Sequence, residues 1–237
     1  MRVAVVQSNY IPWKGYFHLM REVDLFVFYD DVQFTRNDWR NRNRIKTPAG
    51  PRWLTIPVGG HRDRRICDVT LPQDGWGRAH FEALRRHYER APYWGRYAEW
   101  LRDVLWDPSW RHLSDLNHRL TRDIARELGV VTPLGDSRDH PLQGRKGERL
   151  LDLVLQVGGT EYVSGPAAKA YLDEAAFEAA GVRVRWWAYP SYPEYPQFEA
   201  PFVHQVTVLD LLFHTGPRAP DWIWGSMLGE PAGAEAP

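Results

Sequence analysis

Gln7-Ser8-Asn9-Tyr10-Ile11-Pro12-Trp13-Lys14-Gly15-Tyr16-Phe17 runs directly into His18-Leu19-Met20-Arg21-Glu22-Val23-Asp24-Leu25-Phe26-Val27-Phe28-Tyr29-Asp30-Asp31, a loop, an amphipathic segment and an apolar run in succession. Just upstream, Val3 to Val6 is a short apolar run suited to a buried parallel strand, which gives out into polar and turn-forming residues. Gly15 to Glu22 is long enough for a crossover helix, and Leu25 to Tyr29 is apolar and β-rich. Strand, loop, helix and strand make one right-handed βαβ unit. Ligands of such sheets bind beyond the carboxyl ends of the strands, so the loop after Val6 and the Asp30-Asp31 pair are candidate site residues.

A chain of 237 residues can bury a sizeable core. Its 30 acidic and 30 basic side chains cancel, so global charge gives no reason to expect a nucleic-acid or membrane partner. Cys67 is the single cysteine, which excludes an intrachain disulfide and a cysteine zinc cluster. No apolar run approaches the roughly 20 residues of a membrane helix, and the N-terminus enters a strand without a signal-peptide pattern. A cytoplasmic, soluble protein is expected. Twelve tryptophans and 11 tyrosines supply large faces for packing and for stacking on sugars or bases.

Farther along, Thr35 to Gly50 reads as a polar, basic excursion in which Arg36, Arg40, Arg42, Arg44 and Lys46 are interleaved with Asn37, Asn41 and Asn43. Guanidinium forks match phosphate and carboxylate geometry, which points to an anionic small molecule; a solvated arm or an oligomer contact is the other reading. Trp53 to Val58 and Ile66 to Pro72 read as strands, with a second basic group at Arg62, Arg64 and Arg65 between them. From Gly75 to about Gly129 the apolar spacing turns helical, broken at Pro92 and at Asp107-Pro108, which predicts three inserted helices. His80, His87, His112 and His118 fall in or near them without a His-x-x-x-His pair, and no metal site is assigned there.

Val130 to Leu134, Thr160 to Val163 and Val182 to Tyr189 supply further strands. Lys146 and Arg149 stand at a helix start, where basic groups oppose the macrodipole unless an anion is also bound, and Ser164 ends a strand. Tyr189 to Phe202 reads as an aromatic wrapping loop, Thr207 to Phe213 as a last helix, and the tail as disordered. The predicted architecture is α/β, a Rossmann-like, mainly parallel sheet with Val3 to Val6 central and an inserted helical subdomain. It divides into an N-terminal half at 1–74, the insertion at 75–129, a C-terminal half at 130–229 and the tail at 230–237.

The first loop resembles that of the nucleotidylyltransferase and class I synthetase-like (HUP-type) superfamily, where a Pro-containing turn leads to His-x-Gly-His. Here Trp13 and Tyr16 stand in the two histidine places and Gly15 is kept. Losing both imidazoles removes the groups that would hold a nucleotide's phosphates during adenylyl transfer. Larger motifs resemble the WbqC-like family: Gln7-x-Asn9-Tyr10-x-Pro12-Trp13-x-Gly15-Tyr16-Phe17, Asp30-Asp31-Val32-Gln33-Phe34, Trp39-Arg40-Asn41-Arg42-Asn43, Trp53 to Val58, Lys146-x-x-Arg149-Leu150, Tyr162-x-Ser164-Gly165-Pro166 and Val208 to Phe213.

That resemblance implies a place among surface-polysaccharide and sugar-nucleotide pathways. Two functions are carried forward: a group-transfer or ligation enzyme acting on an amino sugar, nucleotide-sugar or similar small polar substrate, and a non-catalytic nucleotide-sugar binding or assembly protein. The bound group would be a nucleotide or nucleotide-sugar, with a divalent cation at Asp30 and Asp31 as one option. Asp30, Asp31 and Tyr16 are the candidate catalytic residues. Gln7, Asn9, Tyr10, Trp13, Gly15, Gln33, Arg40, Arg42, Asn43, Lys146, Arg149 and Ser164 are the candidate ligand-binding residues. Nothing in the pattern sets the oligomeric state.

Overall fold

Burial on both faces is what the apolar run at the N-terminus demands, and β1 (Arg2–Val6) obtains it at the centre of a parallel sheet. The computed structural model describes residues 1–61, 63–170 and 172–226; the tail expected to be disordered lies outside the described residues, as do Arg62 and Tyr171. Chain order continues with α1 (Lys14–Arg21), β2 (Leu25–Phe28), β3 (Arg42–Thr47), β4 (Gly50–Thr55), α2 (Trp76–Tyr88), α3 (Trp94–Trp106), α4 (Leu113–Glu127) and β5 (Leu134–Asp136). Then come α5 (Gly147–Gln156), β6 (Glu161–Ser164), α6 (Glu174–Ala179), β7 (Arg183–Trp186) and α7 (Val208–Thr215).

Five parallel strands stand in the order β5-β2-β1-β6-β7. The chain steps outward from β1 through β2 to β5, then crosses back to β6 and steps outward again to β7. This is the doubly wound, Rossmann-like pattern, and its switch point lies between β1 and β6. Alternation along the strands sorts the two faces. Ala4, Phe26, Phe28 and Val163 join the large core built with α1 to α4 and α7. Val3, Val5, Val27 and Tyr162 join a smaller core with Leu150, Leu153 and Val154 of α5 and Phe177 of α6. No helix among the described residues is long and apolar enough to cross a membrane.

Several local readings change: the strand expected at Val130 to Leu134 is β5 at Leu134–Asp136, and that expected at Trp53 to Val58 is β4 at Gly50–Thr55. The Arg/Asn excursion is in part a strand: β3 pairs antiparallel with β4 from Arg42 opposite Thr55 to Thr47 opposite Gly50, a tight hairpin whose turn needs the positive φ of Gly50. Its inward positions at the front are Asn41 and Asn43 rather than apolar residues, which hid the period of two. Ile66 to Pro72 is not a strand but contains a single turn of 3-10 helix at Ile66–Asp68. Ile66 and Val69, three apart and both fully buried, anchor it as helical spacing would.

α2 and α3 pack so closely at Gly77 that a Cβ there would stand 1.8 Å from the Leu105 carbonyl oxygen. Inside an exposed helix Gly→Ala stabilises by about 1 kcal/mol, so the sign of the effect reports the contact. Gly77→Ala is expected to destabilise by about 1–3 kcal/mol in urea unfolding. A raised midpoint would show that the helices do not meet there.

Candidate functional site

At the switch point the carboxyl ends of β1 and β6 part, and a cavity of about 840 Å³ opens between them. Its floor is Val5, Val6, Tyr162 and Ser164; its walls are Gln7, Asp31, Gln33 and Arg40 on one side and Gly144 to Gly147 with Arg149 on the other; Tyr189 closes it from beyond β7. Four cations, Arg40, Arg145, Lys146 and Arg149, face one carboxylate, Asp31. The start of α5 lies in the wall, and its N-cap position, Lys146, makes no side-chain capping bond, so the first-turn N–H groups lack that partner. Lys146 also holds a positive φ of 50°, a conformation that non-glycine residues adopt at a cost and that aims the Gly144 to Gly147 turn into the cavity wall. Cationic side chains, a helix start without a side-chain cap and a strand-end serine are the groups from which anion sites are built.

The two adjacent aspartates have gone separate ways. Asp31 accepts from Arg149 and from the Ser137 hydroxyl at the cavity edge. Asp30 turns inward with no solvent exposure, accepting from the Ser8 backbone N–H at 2.8 Å and from His118 Nε2 at 3.0 Å. Burial pushes the Asp30 carboxyl up, but the bonds from His118 and Ser8 outweigh it and hold the group below the ordinary carboxylate range. The other ring nitrogen of His118 faces Asp136 Oδ2 at 3.5 Å, and Arg138 grips Asp136 in turn. The chain ends β2 at Phe28, so successive carboxylates are free to diverge, and Asp30 cannot act as a base on a ligand in the cavity. A divalent cation shared by both does not fit, because each is committed to different donors. Among the described residues no group of three or more His, Cys, Asp or Glu side chains could hold a metal ion. Burial raises the Cys67 thiol, which suits an inert side chain.

The loop after β1 is an anchor as much as a wall. Tyr10 has no exposure and meets His80 Nδ1 through its hydroxyl at 2.9 Å. Tyr16 is buried against Phe17 and Phe26, donates to the Gln7 carbonyl at 3.3 Å, and has its phenol pushed well above the usual range by burial; it lies beneath the cavity, not in it. Gly15 is required by the Trp13 indole, which would stand 2.3 Å from a Cβ at that position. Asn43 donates to both the Tyr10 and Ile11 carbonyls at 3.0 and 2.7 Å, which holds Ile11 at its positive φ of 45°. Arg42 is not in the cavity: its guanidinium lies 4.1 Å over the Trp53 ring.

A second cavity, also about 840 Å³, lies on the other side of this loop, lined by Asn9, Pro12, Trp13, Trp39, Asn43, Pro190, Ser191, Tyr192, His204 and Gln205. The wall between the two is thin. Arg40 of the first donates to Asn9 of the second, and Tyr189 of the first meets Trp13 of the second edge-on, with ring centroids 5.0 Å apart. Of the residues singled out from sequence, Gln7, Asp31, Gln33, Arg40, Lys146, Arg149 and Ser164 come together in the first cavity, and Asn9, Trp13 and Asn43 in the second. Asp30, Tyr10, Gly15, Tyr16 and Arg42 line neither. Arg145, Tyr162, Tyr189 and His118 were not singled out as site residues; for Arg145 the signal was its place beside Lys146 at a glycine-flanked helix start.

Comparison with known proteins agrees with the motifs. The chain matches the model of the WbqC-like protein family over residues 7–221. It is 44% identical over 224 residues to an uncharacterized protein of Mycobacterium tuberculosis, covering 94% of this chain and 97% of that one. No solved structure matches the chain.

The Tyr10 anchor is testable through pH. The Thr55 carbonyl can only accept, so His80 Nε2 donates to it at 3.2 Å and neutral Nδ1 accepts from Tyr10. Burial pushes the His80 imidazole down to about 4, whereas in the unfolded chain it titrates near about 6.5. Below about 6.5 the unfolded state takes up the proton first, so the stability contributed by neutral His80 is full above that pH and is lost as pH falls toward 4. Over this window wild type should lose about 3 kcal/mol more than His80→Gln in denaturant unfolding. Parallel pH profiles for the two proteins would remove His80 from this role.

Proposed function

The chain belongs to the WbqC-like protein family, and we propose that it is a group-transfer or ligation enzyme whose two substrates occupy the two cavities. The observation that carries this reading is the shared wall: two cavities of equal size, one cationic and one neutral and aromatic, separated by the Asn9–Arg40 and Trp13–Tyr189 contacts. Transfer requires the Asn9–Arg40 and Trp13–Tyr189 contacts to part, so that the reacting atoms of the two substrates come within about 3–3.5 Å of each other. The switch-point cavity suits the donor, a phosphate-bearing molecule such as a nucleotide or nucleotide-sugar, because its cations outnumber its carboxylates and the start of α5, which has no side-chain cap, lies in its wall. The aromatic cavity suits the acceptor.

Within the donor cavity the residues have distinct parts. Arg145 and Lys146 make no ion pair with a carboxylate among the described residues and are available to a ligand phosphate. Arg149 is shared with Asp31, so it holds that carboxylate in place. Arg40, bonded to Asn9, stands where charge on a group passing between the cavities would be felt. Asp31 is the one carboxylate of the lining and the one candidate there for moving a proton.

Its pairing with Arg149 and Ser137 also favours a second reading, a nucleotide-sugar binding or assembly protein without turnover. Incubating the purified chain with nucleotide-sugars and candidate acceptors, followed by mass spectrometry, separates the two: a product mass supports the enzyme, and saturable binding without product supports the binding protein. Calorimetry with a nucleoside diphosphate and with pyrophosphate tests the site itself. Arg145→Ala and Lys146→Ala should each weaken binding by about 1–3 kcal/mol, while Arg42→Ala, on the hairpin, should leave it unchanged. Equal losses in all three, or none in any, would move the anion elsewhere.

A further inference from the structure

We propose that the aromatic cavity is a saccharide site for a neutral or N-acylated pyranose, with Trp39 as its stacking platform. As the identity of an acceptor this rests on the group-transfer reading above; as a binding site it stands on the lining of the cavity alone.

Charge narrows the ligand first. Among the described residues no Asp, Glu, Lys or Arg lines this cavity, in contrast with its neighbour across the wall. His204 is held below its ordinary value by burial and by the nearby charge of Lys14, so it is neutral around pH 7. The Lys14 ammonium lies 4.9 Å from the centre of the Tyr192 ring, and Tyr192 is itself part of the lining. Glu194 acts on His204 more weakly than Lys14 does, and no carboxylate is among the described lining residues, so a ligand ammonium meets a net repulsion, which turns the site away from a free amino sugar and toward hydroxyl or acetamido substituents.

Polar groups then fit those substituents. The Asn9 amide oxygen accepts from Arg40, and the Gln205 amide oxygen accepts from Arg44 at 2.7 Å. Both amides are thereby fixed in orientation, and their NH₂ groups make no hydrogen bond among the described residues. Ser191 adds a hydroxyl that both donates and accepts.

The rings supply the apolar part. Trp39 lines the mouth and keeps 39% of its surface exposed, beside Trp53 at 40%, with ring centroids 5.2 Å apart. Arg42 lies over Trp53, and Arg44 lies within 5.8 Å of Trp39 and 5.5 Å of Trp53, so the pair is fixed by cation–π contact while still open to solvent. Large indole faces held rigid but uncovered carry an apolar cost that a sugar's C–H face would relieve.

The full chain, titrated at pH 6.5 with methyl glucoside, methyl N-acetylglucosaminide, glucosamine and uridine, tests this by saturation-transfer NMR and tryptophan fluorescence. Saturable binding of the two glycosides is expected, with protonated glucosamine and uridine at least about tenfold weaker. Trp39→Ala should weaken the glycosides about tenfold or more and Trp39→Phe should recover part of the loss; if Trp39→Ala does not fold, Trp53→Ala serves. No saturable glycoside binding, preference for glucosamine or uridine, or full affinity in Trp39→Ala would overturn the proposal. Pyrophosphate titration of the same samples keeps the two readings apart. Glycoside binding without pyrophosphate binding in wild type would retain this site and overturn the donor site, and the converse would do the opposite.

Discussion

A carboxylate with no access to water holds the rim of the sheet together. Asp30 receives the Ser8 N–H from the end of β1 and the His118 imidazole from α4, while its own backbone carbonyl accepts from the Cys67 N–H. Through His118 it is linked to Asp136 at the end of β5, and His118 lies flat on Phe28, 3.9 Å away. Asn117, the neighbour on α4, reaches the Ser8 hydroxyl and the Arg40 carbonyl. One buried pair thus sets the relative positions of three strand ends and a helix. Apolar residues in such a place are often as stabilising as an ion pair, but they are indifferent to direction. A carboxylate with fixed donors is not, and the direction it sets decides where the next residue, Asp31, emerges into the cavity, held there by the buried Ser137 hydroxyl.

The fold was legible where burial writes a period. Val3 to Val6 and Leu25 to Phe28 are buried on two faces, so they read as continuous apolar runs, and α2, α3 and α4 carry stripes at helical spacing. It was obscure where polar side chains do the inward work. Asn41 and Asn43 occupy core-facing positions at the front of β3 because the loop carbonyls they meet need donors, and a pattern counted in apolar residues passes over them. The site divided in the same way. Lys146 and Arg149 could be placed at a helix start from sequence, and helices that cross over parallel strands begin at the ligand-binding rim. Which of Asp30 and Asp31 faces the ligand could not, since their directions depend on His118, 88 residues away.

Aromatic excess has a similar double explanation. Tyr10, Tyr16 and Tyr88 are buried with their hydroxyls bonded to His80, to the Gln7 carbonyl and to Asp210, and they serve the core. Trp13, Trp39, Tyr189 and Tyr192 instead stand along the wall and mouth of the two cavities. The first loop replaces imidazoles with an indole and a phenol, and the indole lies over Gly15, against the rings of Tyr189 and Tyr192. The loop is a packed partition between the two cavities, and the cationic side chains stand across the switch point, at the start of α5.

Net charge said nothing of this because the opposing charges cancel locally as well as globally. Arg65 with Asp68, Arg85 with Glu82, Arg119 with Asp123 and Arg218 with Asp221 are pairs three or four residues apart, their guanidinium groups half or more in solvent and nearly silent at a distance. Each removes one basic and one acidic group from the long-range field. Pairing is incomplete in the cavity, where Arg145 and Lys146 stand beside the bridged Arg149 and Asp31 and make no ion pair among the described residues. Low-dielectric walls lengthen the reach of those charges into the cleft, so a chain with a formal charge of zero can still present a cationic cavity, and the second cavity sits beside it with no Asp, Glu, Lys or Arg among its described lining residues.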